Sequence, residues 1–263
     1  MPTQTPLLAQ VDNALLERIR KARHLVVFTG AGVSAESGIP TFRDAQTGLW
    51  SRFDATELAT PEAFQADPAL VWGWYEWRRM KVLQAEPNSG HYAIARMEQH
   101  IPQVTVITQN VDDLHERAGS QNVLHLHGSL HQPRCFDCAT PYQLDSVPTE
   151  PEGGRRLPPP LCPVCGGAVR PGVVWFGEAL PTTVLPQAFE AAASCDVLLS
   201  VGTSSLVQPA AQIPFIAQQH GAAVAHINTQ PIISKHSDDW MLLGVASVLL
   251  PKLETQAFSN IRP

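Results

Sequence analysis

Two cysteine pairs of identical spacing, Cys135-Phe-Asp-Cys138 and Cys162-Pro-Val-Cys165, are separated by 23 residues, just downstream of the run Leu124-His125-Leu126-His127-Gly128-Ser129. A two-residue gap lets both thiolates of a pair reach one ion from a tight turn, and two pairs close the tetrahedral shell that zinc prefers. With Cys135, Cys138, Cys162 and Cys165 as ligands, no open position remains. The expectation is therefore one structural Zn2+ that ties down a loop, rather than a catalytic metal. The intervening stretch exceeds the usual ribbon spacing of about 15–20 residues, and its prolines and glycines account for the excess. Cys195 stands apart, before Asp196-Val197-Leu198, and reads as a buried strand cysteine.

Imidazole is the side chain suited to take a proton near neutral pH. His125 and His127 are two apart and project from the same face of a strand, so residue type alone leaves both as candidates for a base. Upstream, Val26-Val27-Phe28-Thr29-Gly30-Ala31-Gly32-Val33-Ser34-Ala35 is an apolar strand running into a G-x-G-x-x-A turn. Missing side chains there let a pyrophosphate approach the backbone, and the helix that follows favours its charge. A hydride-transferring dehydrogenase would place an acidic residue about 20 residues further on, at a strand end. Asp54 has the distance but sits in Arg52-Phe53-Asp54-Ala55-Thr56, which is no strand end. A second turn, Gly202-Thr203-Ser204-Ser205, and a polar strand end, Asn228-Thr229, offer amides and hydroxyls for phosphate or ribose.

These groups need a scaffold that brings strand ends together. Strand candidates are His24–Thr29, Val104–Thr108, Val123–His127, Val197–Val201, Ala223–Ile227 and Ser247–Leu250; all are short and apolar, as strands buried on both faces are. Helical stretches alternate with them at Asp12–Arg23, Ser89–His100, Thr182–Ser194 and Gln208–Gln219. This alternation predicts an α/β protein with an open, mostly parallel sheet, whose ligands bind at the carboxyl edge. Two segments interrupt it. One, about 39–87, is helical and tryptophan-rich, with Thr60-Pro61-Glu62 as a helix start. The other, 128–171, carries the cysteines, and its proline-rich middle reads as a mobile loop.

The chain has 263 residues, is 44% hydrophobic and 16% charged, and carries a formal net charge of −6. That fits one large domain with an inserted module and disfavours nucleic-acid binding. No apolar run reaches the ~18 residues of a membrane span, and Met1–Pro6 lacks the features of a signal peptide. A cytoplasmic monomer with its thiols reduced is expected.

Taken in order, the motifs resemble those of the sirtuin family. Gly30-Ala31-Gly32-Val33-Ser34-Ala35-Glu36-Ser37-Gly38-Ile39-Pro40-Thr41-Phe42-Arg43 is similar to its NAD-binding signature, and Thr108-Gln109-Asn110-Val111-Asp112-Asp113-Leu114-His115 to its second. His127-Gly128-Ser129, the cysteine pairs, Val174-Trp175-Phe176-Gly177-Glu178, Gly202-Thr203-Ser204 and Asn228-Thr229 follow, so that the resemblance spans about Val26 to Leu250. It implies a Rossmann-like parallel sheet (1–38, 88–127 and 172–263) with a smaller inserted zinc-ribbon (128–171) plus helical (39–87) domain. It implies an NAD-dependent protein-lysine deacylase that cleaves NAD and moves the acyl group to ADP-ribose, with acyl-lysine proteins as partners. The alternatives are a mono-ADP-ribosyltransferase on the same scaffold and a non-catalytic NAD sensor.

By the same resemblance, His127 rather than His125 is the base, with Asn110 and Asp112 at the nicotinamide end. Gly30, Ala31, Gly32, Ser34, Phe42, Arg43, Gln109, Gly202, Thr203, Ser204, Asn228 and Ala246 contact NAD, with Phe42 and Arg43 on a covering loop and Ala246 in a C-terminal strand. Gln230 stands where an acidic residue is frequent. Val174 and Phe176 belong to the strand that pairs with substrate backbone. On a helix Tyr75 and Arg78 share a face, and a guanidinium with a phenol suits a carboxylate. With Ala59 leaving room for a long chain, the pair resembles the class acting on succinyl-, malonyl- or glutaryl-lysine, with deacetylation alongside.

Overall fold

The structure is a computed structural model, and residues 11–40, 54–144, 154–232 and 239–259 are described. It opens with α1 (Asn13–Lys21), capped by Asp12, whose side chain accepts from the Ala14 N–H at 2.7 Å, and packed through Leu15, Leu16 and Ile19. Strand β1 (His24–Thr29) follows and runs into the short helix α2 (Ala31–Ser34). Next come α3 (Ala55–Leu58), α4 (Pro61–Ala66), α5 (Pro68–Gln84) and α6 (Ser89–Met97). After these lie β2 (Gln103–Thr108), α7 (Leu114–Arg117), β3 (Val123–His125), β4 (Gly128–Cys135) and β5 (Val169–Val173). The chain continues through α8 (Val184–Ser194), β6 (Val197–Val201), α9 (Ile213–Gln219), β7 (Ala223–Asn228), β8 (Trp240–Leu243) and α10 (Ala246–Phe258).

Six strands form one sheet in the order β3-β2-β1-β6-β7-β8, all parallel. Alternate residues of each strand enter opposite cores. Leu25 and Val27 of β1 join Leu199 and Val201 beneath α1, α6 and α10, whereas Val26, Phe28 and Leu198 pack under α8 and α9. Burial on both faces explains the continuous apolar runs. The chain winds outward from β1 in one direction and from β6 in the other. The carboxyl ends of these neighbouring strands therefore form the switch point at which open α/β sheets bind ligands.

Two insertions meet beside that edge. Strands β4 and β5 pair antiparallel, and Leu130, Val169, Val173 and Trp175 share a core with Leu58, Phe64, Trp74 and Tyr75 of the helical segment. Thr60 caps α4 with Pro61 at its first position, as the sequence predicts. Helix α5 is buried nearly all round; its Glu76 and Arg79 satisfy each other in a bidentate pair at 2.9 and 2.8 Å. The described part of the proline-rich loop, 154–160, is irregular as expected, yet it is docked. The Leu157 N–H donates to the Ala69 carbonyl at 2.9 Å, and the Arg155 carbonyl lies where a Cβ on Gly73 would be, 2.1 Å away.

The strand expected at Ser247–Leu250 is instead part of α10. A short apolar run does not distinguish strand from buried helix. Pro251 lies inside this helix and has no N–H for the Ser247 carbonyl; the Ser89 hydroxyl donates to that carbonyl at 2.6 Å. Ala246, expected in a strand, is accordingly the first residue of α10 and buried against α6, where its carbonyl lies 3.1 Å from the position of a Cβ on Gly90.

Candidate active site

The first and second glycine turns touch through their backbones. The Gly30 N–H donates to the Val201 carbonyl and the Gly32 N–H to the Gly202 carbonyl, both at 3.0 Å. A Cβ on Gly32 would lie 2.7 Å from Gly202 Cα, and Gly202 itself has φ +59°. Any side chain at either position would part the two turns. Ala31 follows on the surface of α2. Asn228, at the end of β7, donates from Nδ2 to the Thr203 carbonyl at 2.9 Å, so its amide braces the second turn. Thr203 is buried, its hydroxyl 3.3 Å from those of Ser200 and Ser205, while Ser204 is exposed.

The loop after β2 brings the second motif under the first. Asn110 is buried and donates from Nδ2 to the Gly30 carbonyl at 3.2 Å and to Ser34 Oγ at 3.1 Å. Asp112 is also buried; its Oδ1 accepts from the Leu114 N–H at 3.2 Å, and burial pushes its carboxyl above the ordinary range despite that bond and the Ser34 hydroxyl. Gln109 presents its carbonyl to His127 Nδ1 at 3.0 Å. A carbonyl only accepts, so Nδ1 carries the proton and Nε2 has the lone pair. Desolvation lowers the His127 pKa, partly opposed by this bond. Gly128, at φ +73°, turns the chain sharply after the imidazole, where the Gly172 carbonyl would lie 2.2 Å from a Cβ.

His125 takes a different role. Its Nε2 lies 2.6 Å from Glu116 Oε1 and its Nδ1 3.3 Å from the Asn110 carbonyl. Burial opposes charge on the ring, but Glu116, the Asn110 carbonyl and Asp112 together outweigh it and the net pKa is raised. With both ring nitrogens engaged by acceptors, His125 presents no free lone pair to a substrate proton. Beneath the site runs a polar chain that sequence reasoning missed. His115 Nε2 is 3.0 Å from Thr29 Oγ1, which donates to Thr108 Oγ1 at 2.9 Å, and the His115 ring packs edge-on to His91 at 4.9 Å. Burial drives His91 down to about 4 and His115 well below its ordinary value, so both are neutral. A partial signal was present, since Asn88 three residues before His91 forms a capping box with it.

At the opposite wall, the Val174 N–H donates to the His127 carbonyl at 2.8 Å and the Phe176 N–H to the Ala59 carbonyl at 2.9 Å. Ala59 is buried and Phe176 half-exposed. Tyr75 and Arg78 lie one turn apart on α5. Arg78 lines a small pocket with Ile39, Pro40 and Trp77; burial lowers its pKa, and the nearby Asp112 carboxylate opposes that shift. Phe42 and Arg43 lie outside the described residues.

The four cysteine sulfurs lie within 4.8 Å of one another, with Cys135–Cys165 and Cys138–Cys165 at 3.4 Å and Cys138–Cys162 at 3.7 Å. Tetrahedral zinc with bonds of about 2.3 Å requires sulfurs about 3.8 Å apart. The donor set and spacing fit Zn2+ and leave no catalytic position.

Fold and site together define a dinucleotide-binding α/β protein with an inserted cysteine-ribbon module. Residues 30–209 match the model of the Sir2 family, and the chain belongs to that family. It is 62% identical over 247 residues to NAD-dependent protein deacylase 1 of Pseudomonas aeruginosa, covering 93% of this chain and 98% of that one. The fold matches a crystal structure of a Sir2 homolog–NAD complex, with a TM-score of 0.87, 46% identity and 95% of each chain covered. It also matches a mutant Sir2 homologue in complex with 2′-O-acetyl ADP-ribose, with a TM-score of 0.86, 46% identity, and 94% of this chain and 97% of that chain covered.

Proposed function

We propose that this protein is an NAD-dependent protein-lysine deacylase that acts on acidic acyl groups as well as acetyl. When bound, NAD supplies a ribose that loses nicotinamide and accepts the acyl group. The observation that carries this reading is the convergence of the Gly30–Gly32–Gly202 cradle, the Asn110 amide and His127 at one sheet edge. Gly30, Gly32 and Gly202 admit the pyrophosphate to the backbone. Thr203, Ser204 and Asn228 hold the adenosine side, with Ala31 and Ser34 along the first turn and Ala246 nearby in α10. Gln109, Asn110 and Asp112 position the nicotinamide ribose. His127 takes a proton at Nε2 from a ribose hydroxyl, since Nδ1 is committed to Gln109. Phe42 and Arg43 are assigned to the cofactor cover by the sequence motif alone.

Substrate backbone pairs beside Val174 and Phe176. The acyl chain passes Ala59 toward Tyr75 and Arg78, where a carboxylate finds a phenol and a guanidinium. This reading divides the chain into a nucleotide-binding domain (1–38, 88–127 and 172–263), a helical module (39–87) and a zinc module (128–171). The net charge of −6 supports a partner other than nucleic acid, and no described helix is long and apolar enough to cross a membrane. We assign a cytoplasmic monomer.

The test is a side-by-side assay of acetyl-, succinyl- and malonyl-lysine peptides with and without NAD, read by mass spectrometry. NAD-dependent acyl-ADP-ribose from all three is expected. ADP-ribosylated protein in its place would favour transferase chemistry, and acetyl turnover alone would remove the acidic-acyl assignment.

A further inference from the structure

Trp175 is held more firmly than a packing residue requires. It is 2% exposed. The Arg170 guanidinium lies 3.4 Å from its ring centroid, and Phe64 and Phe136 close around it at 5.4 and 6.3 Å. Its backbone N–H donates to Glu178 Oε2 at 2.8 Å, and Glu178 is in turn paired with Arg170 at 2.5 and 2.9 Å. All of this fixes one atom, the indole Nε1, which donates to the Tyr75 hydroxyl oxygen at 3.0 Å.

An indole N–H is only a donor, so the phenol oxygen must accept. The Tyr75 proton is then free to point elsewhere, and among the described residues no protein group accepts it. Burial raises the Tyr75 pKa, with Arg78 opposing; the group stays a neutral donor. Resting on the acidic-acyl reading above, we propose that Trp175 is a specificity-determining positioning residue. Its N–H occupies a lone pair of the Tyr75 hydroxyl and turns that hydroxyl into a donor toward the acyl carboxylate beside Arg78. An acetyl group has no carboxylate to receive it. The residue that orients Tyr75 thus sits between Val174 and Phe176, on the segment assigned to the peptide.

Replacing Trp175 alone with 3-benzothienylalanine keeps the shape and removes the N–H. The succinyl-peptide KM should rise roughly ten-fold more than the acetyl-peptide KM, and a Tyr75→Phe background should abolish that difference. Equal changes for both peptides, or full additivity with Tyr75→Phe, would overturn the proposal. The indole N–H resonance of Trp175 gives an answer independent of the acyl class. It should move upfield in Tyr75→Phe, and an unmoved resonance would also overturn the proposal. Should the unaltered protein fail to turn over succinyl peptide while that resonance moves, the acyl assignment falls and the Trp175–Tyr75 positioning stands.

Discussion

The Gln109 carbonyl accepts from His127 Nδ1 at 3.0 Å, and that single contact selects the nitrogen left to take a proton. Because burial lowers the His127 pKa from 6.5, the ring is neutral at pH 7. It becomes protonated only as pH falls through the lowered value. The kcat profile should be flat across neutrality with an acid limb below pH 6.5; an acid limb centred above it would contradict this role. His127→Ala should cut turnover by roughly 100- to 10,000-fold while calorimetry still detects NAD binding.

Arg78→Met keeps much of the stem and removes the fork. Loss of a charge-assisted bond should raise the succinyl-peptide KM roughly 10- to 100-fold relative to the acetyl-peptide KM. Parallel losses on both peptides would mean that Arg78 does not read the acyl terminus.

Cys135 is the most buried of the four clustered thiols. Cys135→Ser should release zinc, measurable by a chromophoric chelator, and cost about 3 kcal/mol or more, which is roughly 6–12 °C in Tm for a chain of this size. A metal-free variant melting with the parent would refute a structural ion.

His91 is held neutral down to about pH 4, whereas in the unfolded chain it protonates near 6.5. Its contribution is intact above pH 6.5 and is lost as pH falls toward 4, because only the unfolded state gains the proton in that window. Between pH 7 and pH 5 this destabilises the fold by about 2 kcal/mol. His115, also depressed, acts in the same direction; Asp112, with its raised carboxyl, acts in the opposite one. Urea midpoints measured across this range should fall with pH, and His91→Gln should flatten the slope.

Much of this arrangement is legible in residue order. Strands buried on both faces appear as unbroken apolar runs, and the glycine turns mark their carboxyl ends, so the sheet and its ligand edge follow directly. The cysteine spacing is equally direct, because ligand geometry is local. Ser247–Leu250 misleads because an apolar run of that length suits either element, and only the packing of Ala246 on Gly90 decides for helix. Trp175 can be read as part of a motif but not as a donor, since its acceptor lies 100 residues away in the chain. The separate fates of His125 and His127 depend on which acidic or carbonyl group each meets, and Glu116 comes from a different element.

Glu36, just past the first glycine turn, accepts from the Ser247 N–H at 3.0 Å and from its hydroxyl at 2.8 Å. The loop of the first glycine turn is thus clasped by α10. During synthesis the first turn emerges early but stays unlatched until α10 leaves the ribosome, so a nascent chain still short of Ser247 cannot lock this loop in place.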